Sequence, residues 1–496
     1  MVAKSKNSEA CLSSAIAKVF VMTILFACFS CENGYDVPDR RLSKAISIFP
    51  DYTSVTFPRN IAPANFKIRV QADAYQVTIS CQGKVYWRNV STKPDVKINE
   101  EAWKSLLNEN PGKAFKTTVG IKTSGQWTEY RPIINVISRD TIDSYLVYRL
   151  IYPGYELWNQ MGIYQRNLAT FDEVAILDNR DFGRQCVNCH TFNRHTPREM
   201  MIHVRGKDGG TLISRDGIVS KVKPRCNGVK MGATYASWHP SGRFIAYSLN
   251  DIQQFFHSSG RKPIEVTDLA ADLAVYDIQS GVCITSNELS GTHSMETFPS
   301  WSPDGKWLYF CRGNAYTKGV PLDSIRYDLY RVSFDSGKQL FGKPECLYAS
   351  SAKRRTVSLP RVSPNGRYVL FVEFDYGNFA IWHPEADLSI LDLETGKVRK
   401  AHELNSSEVE SFHTWSSTGR WVVFSSKRMD GGWTRPYFAH FDSLTGLFSK
   451  PFVLPQSNPD FYGFFMYSYN LPELITSPIS NAGELLEAIG YDKPTP

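Results

Sequence analysis

The stretch Ser300-Trp301-Ser302-Pro303-Asp304-Gly305-Lys306-Trp307-Leu308-Tyr309-Phe310 recurs along this chain. One copy is Ser237-Trp238-His239-Pro240-Ser241-Gly242-Arg243-Phe244-Ile245-Ala246-Tyr247. Another is Arg361-Val362-Ser363-Pro364-Asn365-Gly366-Arg367-Tyr368-Val369-Leu370-Phe371. A fourth is Thr414-Trp415-Ser416-Ser417-Thr418-Gly419-Arg420-Trp421-Val422-Val423-Phe424. Each copy reads as a strand, a tight turn and a second strand of alternating large apolar residues. The turn calls for Asp, Asn or Ser followed by Gly because its central residues take positive φ or Asx geometry.

A second hairpin follows each copy, as in Leu273–Gly281, Leu329–Gly337, Leu388–Gly396 and Phe438–Gly446. Repeats of four strands predict blades of a propeller. The quoted pattern resembles the TolB-like propeller family over residues 230–455. Gly162–Phe171 and Phe461–Ile475 are partial copies that together would make one blade, and Cys186–Val222 reads as a degenerate blade. The expected fold is therefore all-β: a six-bladed TolB-like β-propeller over 151–480, preceded by a small Ig-like β-sandwich over 55–150. Residues 31–54 read as a tether and 481–496 as a tail.

The N-terminus reads as an export signal over residues 1–30. Lys4, Lys6 and Lys18 precede the apolar run Val19–Ala27, which is too short to span a bilayer as a helix. Cys28 or Cys31, directly behind that run, fits the lipidation site of a bacterial lipoprotein. The expected location is the cell envelope, anchored to the outer membrane by the N-terminal lipid alone and facing the periplasm or the surface. The net charge of +7 comes without a dense Lys/Arg stripe, so no nucleic-acid partner is expected. An unidentified envelope protein or redox partner is. Ten cysteines in 496 residues are too few for a disulfide scaffold, so their positions carry the information.

Cys186-Val187-Asn188-Cys189-His190 has the C-x-x-C-H spacing of c-type haem attachment, with the thiols for two vinyl groups and His190 for the iron. Haem c is thus the expected cofactor, with electron transfer or redox chemistry as the function. His413 or His293 is the candidate distal ligand. Setting His190 against Trp301 puts the motif in the loop entering an innermost strand, at the mouth of the channel. There Glu296, Glu410 and His413 would face it from other repeats. The alternative is a non-enzymatic TolB-like interaction scaffold. In it Cys186 and Cys189 form a disulfide, or a metal site with Cys226, His195 or His203. A serine hydrolase is disfavoured because no G-x-S-x-G occurs.

Overall fold

The computed structural model describes residues 36–152, 160–207, 209–224, 226 and 233–490. Cys28 and Cys31 lie outside them. The fold is mostly antiparallel β with sparse helices. Among the described residues no helix is long and apolar enough to cross a membrane.

The repeat turns form as their residues require. Gly242, Gly305, Gly366 and Gly419 take φ of 71°, 73°, 74° and 65°, a region closed to most side chains. Asp304 accepts from Ser302 Oγ at 2.6 Å, and Asn365 accepts from Ser363 Oγ at 2.6 Å. The turn polar groups are thereby satisfied locally.

Each repeat Trp is core. Trp238 Nε1 donates to Thr191 O at 3.3 Å, and Trp415 Nε1 donates to Arg361 O at 3.1 Å. These two indoles therefore fasten their own sheets to the first strand of the sheet before. The paired strands behind the turns are almost wholly buried, as in Tyr368–Phe374 and Trp421–Ser426.

The repeats build four- and five-stranded antiparallel sheets, such as Thr356–Val362, Tyr368–Phe374, Asp387–Asp392 and Lys397–Lys400 in that order. Cys186–Asn193, Thr196–Arg205, Gly210–Arg215 and Ile218–Val222 make another. The strand Ser468–Ile475, near the C-terminus, pairs with Tyr145–Ile151. These sheets are open, and none curls into closure on itself. The expected six-bladed TolB-like propeller is corrected accordingly to a mostly antiparallel β fold in open sheets.

Upstream lie a seven-stranded and a three-stranded sheet with the helix Glu100–Glu109. Asn99 caps that helix by accepting from the Ala102 N–H at 2.9 Å. Its buried face holds Trp103, Leu106 and Leu107. The hydrophobic core runs without a break from this region into the last repeats, through Phe57 against Phe452 at a centroid distance of 4.9 Å. Polar contacts reinforce the join, with Lys67 to Asp460 at 2.8 Å and His440 to Asp140 at 2.8 Å.

Among the described residues one disulfide, Cys226–Cys283, ties residue 226 to the short strand Val282–Ile284 across 57 residues of sequence. Cys226 is therefore not available as a metal ligand. Closing a loop of this length stabilises a fold by about 2–4 kcal/mol, largely through the unfolded chain. The double variant Cys226→Ser/Cys283→Ser is expected to lose stability in that range. An unchanged urea midpoint with an unchanged slope would refute the assignment.

Candidate functional site: a cationic cavity walled by aromatics

Six strands share one irregularity. Cys189, Tyr235, Phe298, Leu359, Phe412 and Leu471 are non-glycine residues at positive φ, between 44° and 56°. Each sits where the strand pairing shifts register. Each also stands three residues before the position of the repeat Trp, so the alignment is set by geometry. Phe192, not His190, matches Trp301, so the expected alignment of His190 with Trp301 is corrected by two residues. The bulge turns its side chain out of the alternating pattern of the strand. Cys189, Tyr235, Phe412 and Leu471 accordingly line one cavity of about 220 Å³.

The cavity walls are largely apolar and aromatic, among them Phe379, Trp382, Phe412, Trp433, Ile151 and Met161. Three cationic side chains, Arg149, Arg205 and Lys427, enter it, and no Asp or Glu among the described residues lines it. Arg149 Nη1 donates to Asn188 Oδ1, while its Nε is buried without a partner. Burial disfavours the Arg149 guanidinium, with the Arg205 charge adding to the effect. Lys427 is 6% exposed, and its Nζ stands 3.6 Å from the centroid of the Trp382 ring. Burial pushes its ammonium down to about 7.

Cys186 and Cys189 are free thiols, both buried, and both border the cavity. Burial pushes the Cys186 thiol up, against the opposing pull of Arg149 and Arg205. The motif occupies a β-strand, Cys186–Asn193. The bulge at Cys189 breaks the alternation between Asn188 and His190. Cys186, Asn188 and Cys189 therefore border the cavity and His190 does not. Its ring lies against the backbone of Val147 and Leu471 and 5.9 Å from the ring of Phe192. Both ring nitrogens are buried without a hydrogen-bond partner. An axial ligand would have to project into the space bordered by the thiols, and His190 does not. Among the described residues no group of three or more His, Cys, Asp or Glu is placed to hold a metal ion. The expected haem c, with its redox function, is corrected on this donor set, and the Cys186–Cys189 disulfide is corrected because both thiols are free.

The other predicted site residues do not come together. His413 is buried and borders a smaller void beside Arg361 and Glu473, with its Nε2 2.9 Å from Leu370 O. His293 is exposed before the strand Ser294–Trp301. Glu296 pairs with Arg312 at 3.0 Å, and burial raises its carboxyl to about 7. Glu410 accepts from Ser406 Oγ at 2.7 Å, Ser426 Oγ at 2.8 Å and Arg428 at 2.9 Å. Neither carboxylate borders the cavity. Arg149, Arg205, Lys427 and Trp382 were not singled out from the sequence. Tyr235 and Phe412 had a usable signal, since both stand three residues before a repeat Trp.

No protein-family model matches the chain. It is 24% identical over 205 residues to an uncharacterized protein of Agrobacterium fabrum, Atu1656, over 40% of this chain and 55% of that one. The chain thus spans about half the length of the curated relative it matches. Among solved structures it resembles hydrazine synthase of Kuenenia stuttgartiensis (TM-score 0.42, 12% identity, 68% of this chain and 47% of that chain). It also resembles an auxiliary nutrient binding protein from Bacteroides thetaiotaomicron (TM-score 0.31, 10% identity, 76% of this chain and 96% of that chain). Likenesses at these scores carry no argument about this chain.

Proposed function

We propose that the chain is a non-enzymatic binding scaffold of the cell envelope whose cavity holds an anionic, largely apolar ligand. One observation carries this reading: three cationic side chains and no carboxylate among the described residues lining an aromatic cavity. Desolvated cations are costly unless an anion or hydrogen bonds offset them. The apolar walls supply the area that an alkyl or aromatic body would cover. The Cys226–Cys283 bridge holds the neighbouring sheet in place. The location rests on the signal over 1–30 and on Cys28 or Cys31, one of which would carry the lipid. Substituting that cysteine by serine would release the protein from the membrane fraction.

Calorimetric titration of the mature chain with dodecanoate, dodecanol and dodecylammonium tests the reading. Dodecanoate should bind most tightly and dodecylammonium least. Arg149→Gln should weaken dodecanoate binding about 10- to 100-fold, the range for losing a charge-assisted hydrogen bond. Equal binding of the three, or no loss in Arg149→Gln, would refute it.

A further inference from the structure

Lys427 is an unusual cavity residue. Lysines are seldom buried without an anionic partner. Among the described residues no carboxylate lies within ion-pair distance of its Nζ. The two acids whose charges reach it are otherwise engaged. Glu408 pairs with Arg261 at 2.6 Å, and Asp430 accepts from the Gly432 and Trp433 N–H groups at 2.8 Å each. Their charges still favour the ammonium through space, but burial outweighs them. The face of Trp382 favours the ammonium, but such a contact is worth only about 0.5–2 kcal/mol.

We propose that Lys427 is a reactive amine that captures an aldehyde-bearing anionic ligand in this cavity as an imine. The proposal rests on the cavity reading above. The ligand anion would sit on Arg149 and Arg205 and its apolar body against Phe379 and Trp433. The Nζ lone pair adds to the carbonyl carbon, and the amine proton passes to the carbonyl oxygen to give a carbinolamine. Water then leaves as the C=N bond forms. The step consumes no oxidant or reductant and reverses on hydrolysis. The lowered ammonium pKa, about 7, is consistent with a large neutral fraction at neutral pH.

The test uses the full mature chain and two probes, pyridoxal 5′-phosphate and pyridoxine 5′-phosphate, which lacks the aldehyde. After brief exposure at pH 7 and trapping with cyanoborohydride, peptide mapping locates the modified lysines. Lys427 should be modified about 10-fold or more faster than the average of the other lysines, because an ordinary lysine is almost wholly protonated at that pH. Excess dodecanoate should suppress the labelling, and Lys427→Arg, checked by near-UV circular dichroism, should abolish that labelled peptide. Even labelling across the lysines, with pyridoxine 5′-phosphate still bound, overturns the imine and leaves the cavity reading standing. Failure of both phosphates and of dodecanoate to bind overturns both.

Discussion

Trp103→Ala is expected to destabilise the whole molecule by about 3–5 kcal/mol, the cost of truncating a buried aromatic in a core that cannot collapse around the void. The indole is 2% exposed. It meets the ring of Phe57 edge-on at 5.5 Å and that of Phe115 at 5.8 Å, and its Nε1 donates to Ile61 O at 3.0 Å. Alanine would remove these contacts and leave the buried Ile61 carbonyl short of a donor. The effect should not stay local, because Phe57 also packs on Phe452 from the last repeat. Urea unfolding should show one transition moved to lower concentration, rather than early loss of the upstream sheets alone. Leu444→Ala, at a side chain 88% exposed, is the control and should change stability by less than about 0.5 kcal/mol. A Trp103→Ala loss under about 1 kcal/mol would contradict the packing described.

The same contrast between local pattern and assembled surroundings runs through the molecule. The strands and turns of the repeats were legible because their signals are local: alternation for the strands, and Asp, Asn or Ser before Gly for the turns. The six-bladed closure was inferred from repeat number, and a repeat count says nothing of how open sheets are arranged. The C-x-x-C-H motif misled for a related reason. Spacing along a sequence does not say whether the backbone is loop or strand. The bulge at Cys189 brings both thiols to the cavity and leaves His190 out of it. The cavity itself was illegible because its cations come from scattered places. Arg149, Arg205 and Lys427 have no common spacing, and only the fold brings them to one space. The disulfide was hidden likewise, since Cys226 and Cys283 are 57 residues apart with no motif around either.

His190 and His413 give the second large effect, on the pH dependence of stability. Burial is the main cause for both. It pushes His190 down to about 3, with the Arg149 charge adding to it, and His413 down to about 3, with Arg361 adding to it. Unfolded, each titrates near 6.5, so between those values the unfolded chain binds the proton that the fold refuses. Their stabilising contribution is present above pH 6.5 and is lost as pH falls towards 3. Lowering the pH from 7 to 5 should cost about 2 kcal/mol for each histidine.

The sign is opposite for Asp268 and Glu296. Burial raises Asp268 to about 6 and Glu296 to about 7. Their contribution is fully present below the unfolded carboxyl range and is lost as pH rises through 6 to 7. The two sets offset each other in the wild-type curve, so the decisive measurement is a difference between proteins. His413→Gln should gain about 2 kcal/mol relative to wild type between pH 7 and pH 5, and His190→Gln/His413→Gln about 4. Whatever packing these substitutions lose is common to both pH values and cancels in the comparison. A wild-type-minus-variant stability that stays constant between pH 7 and pH 5 would show that neither imidazole is held neutral by the fold.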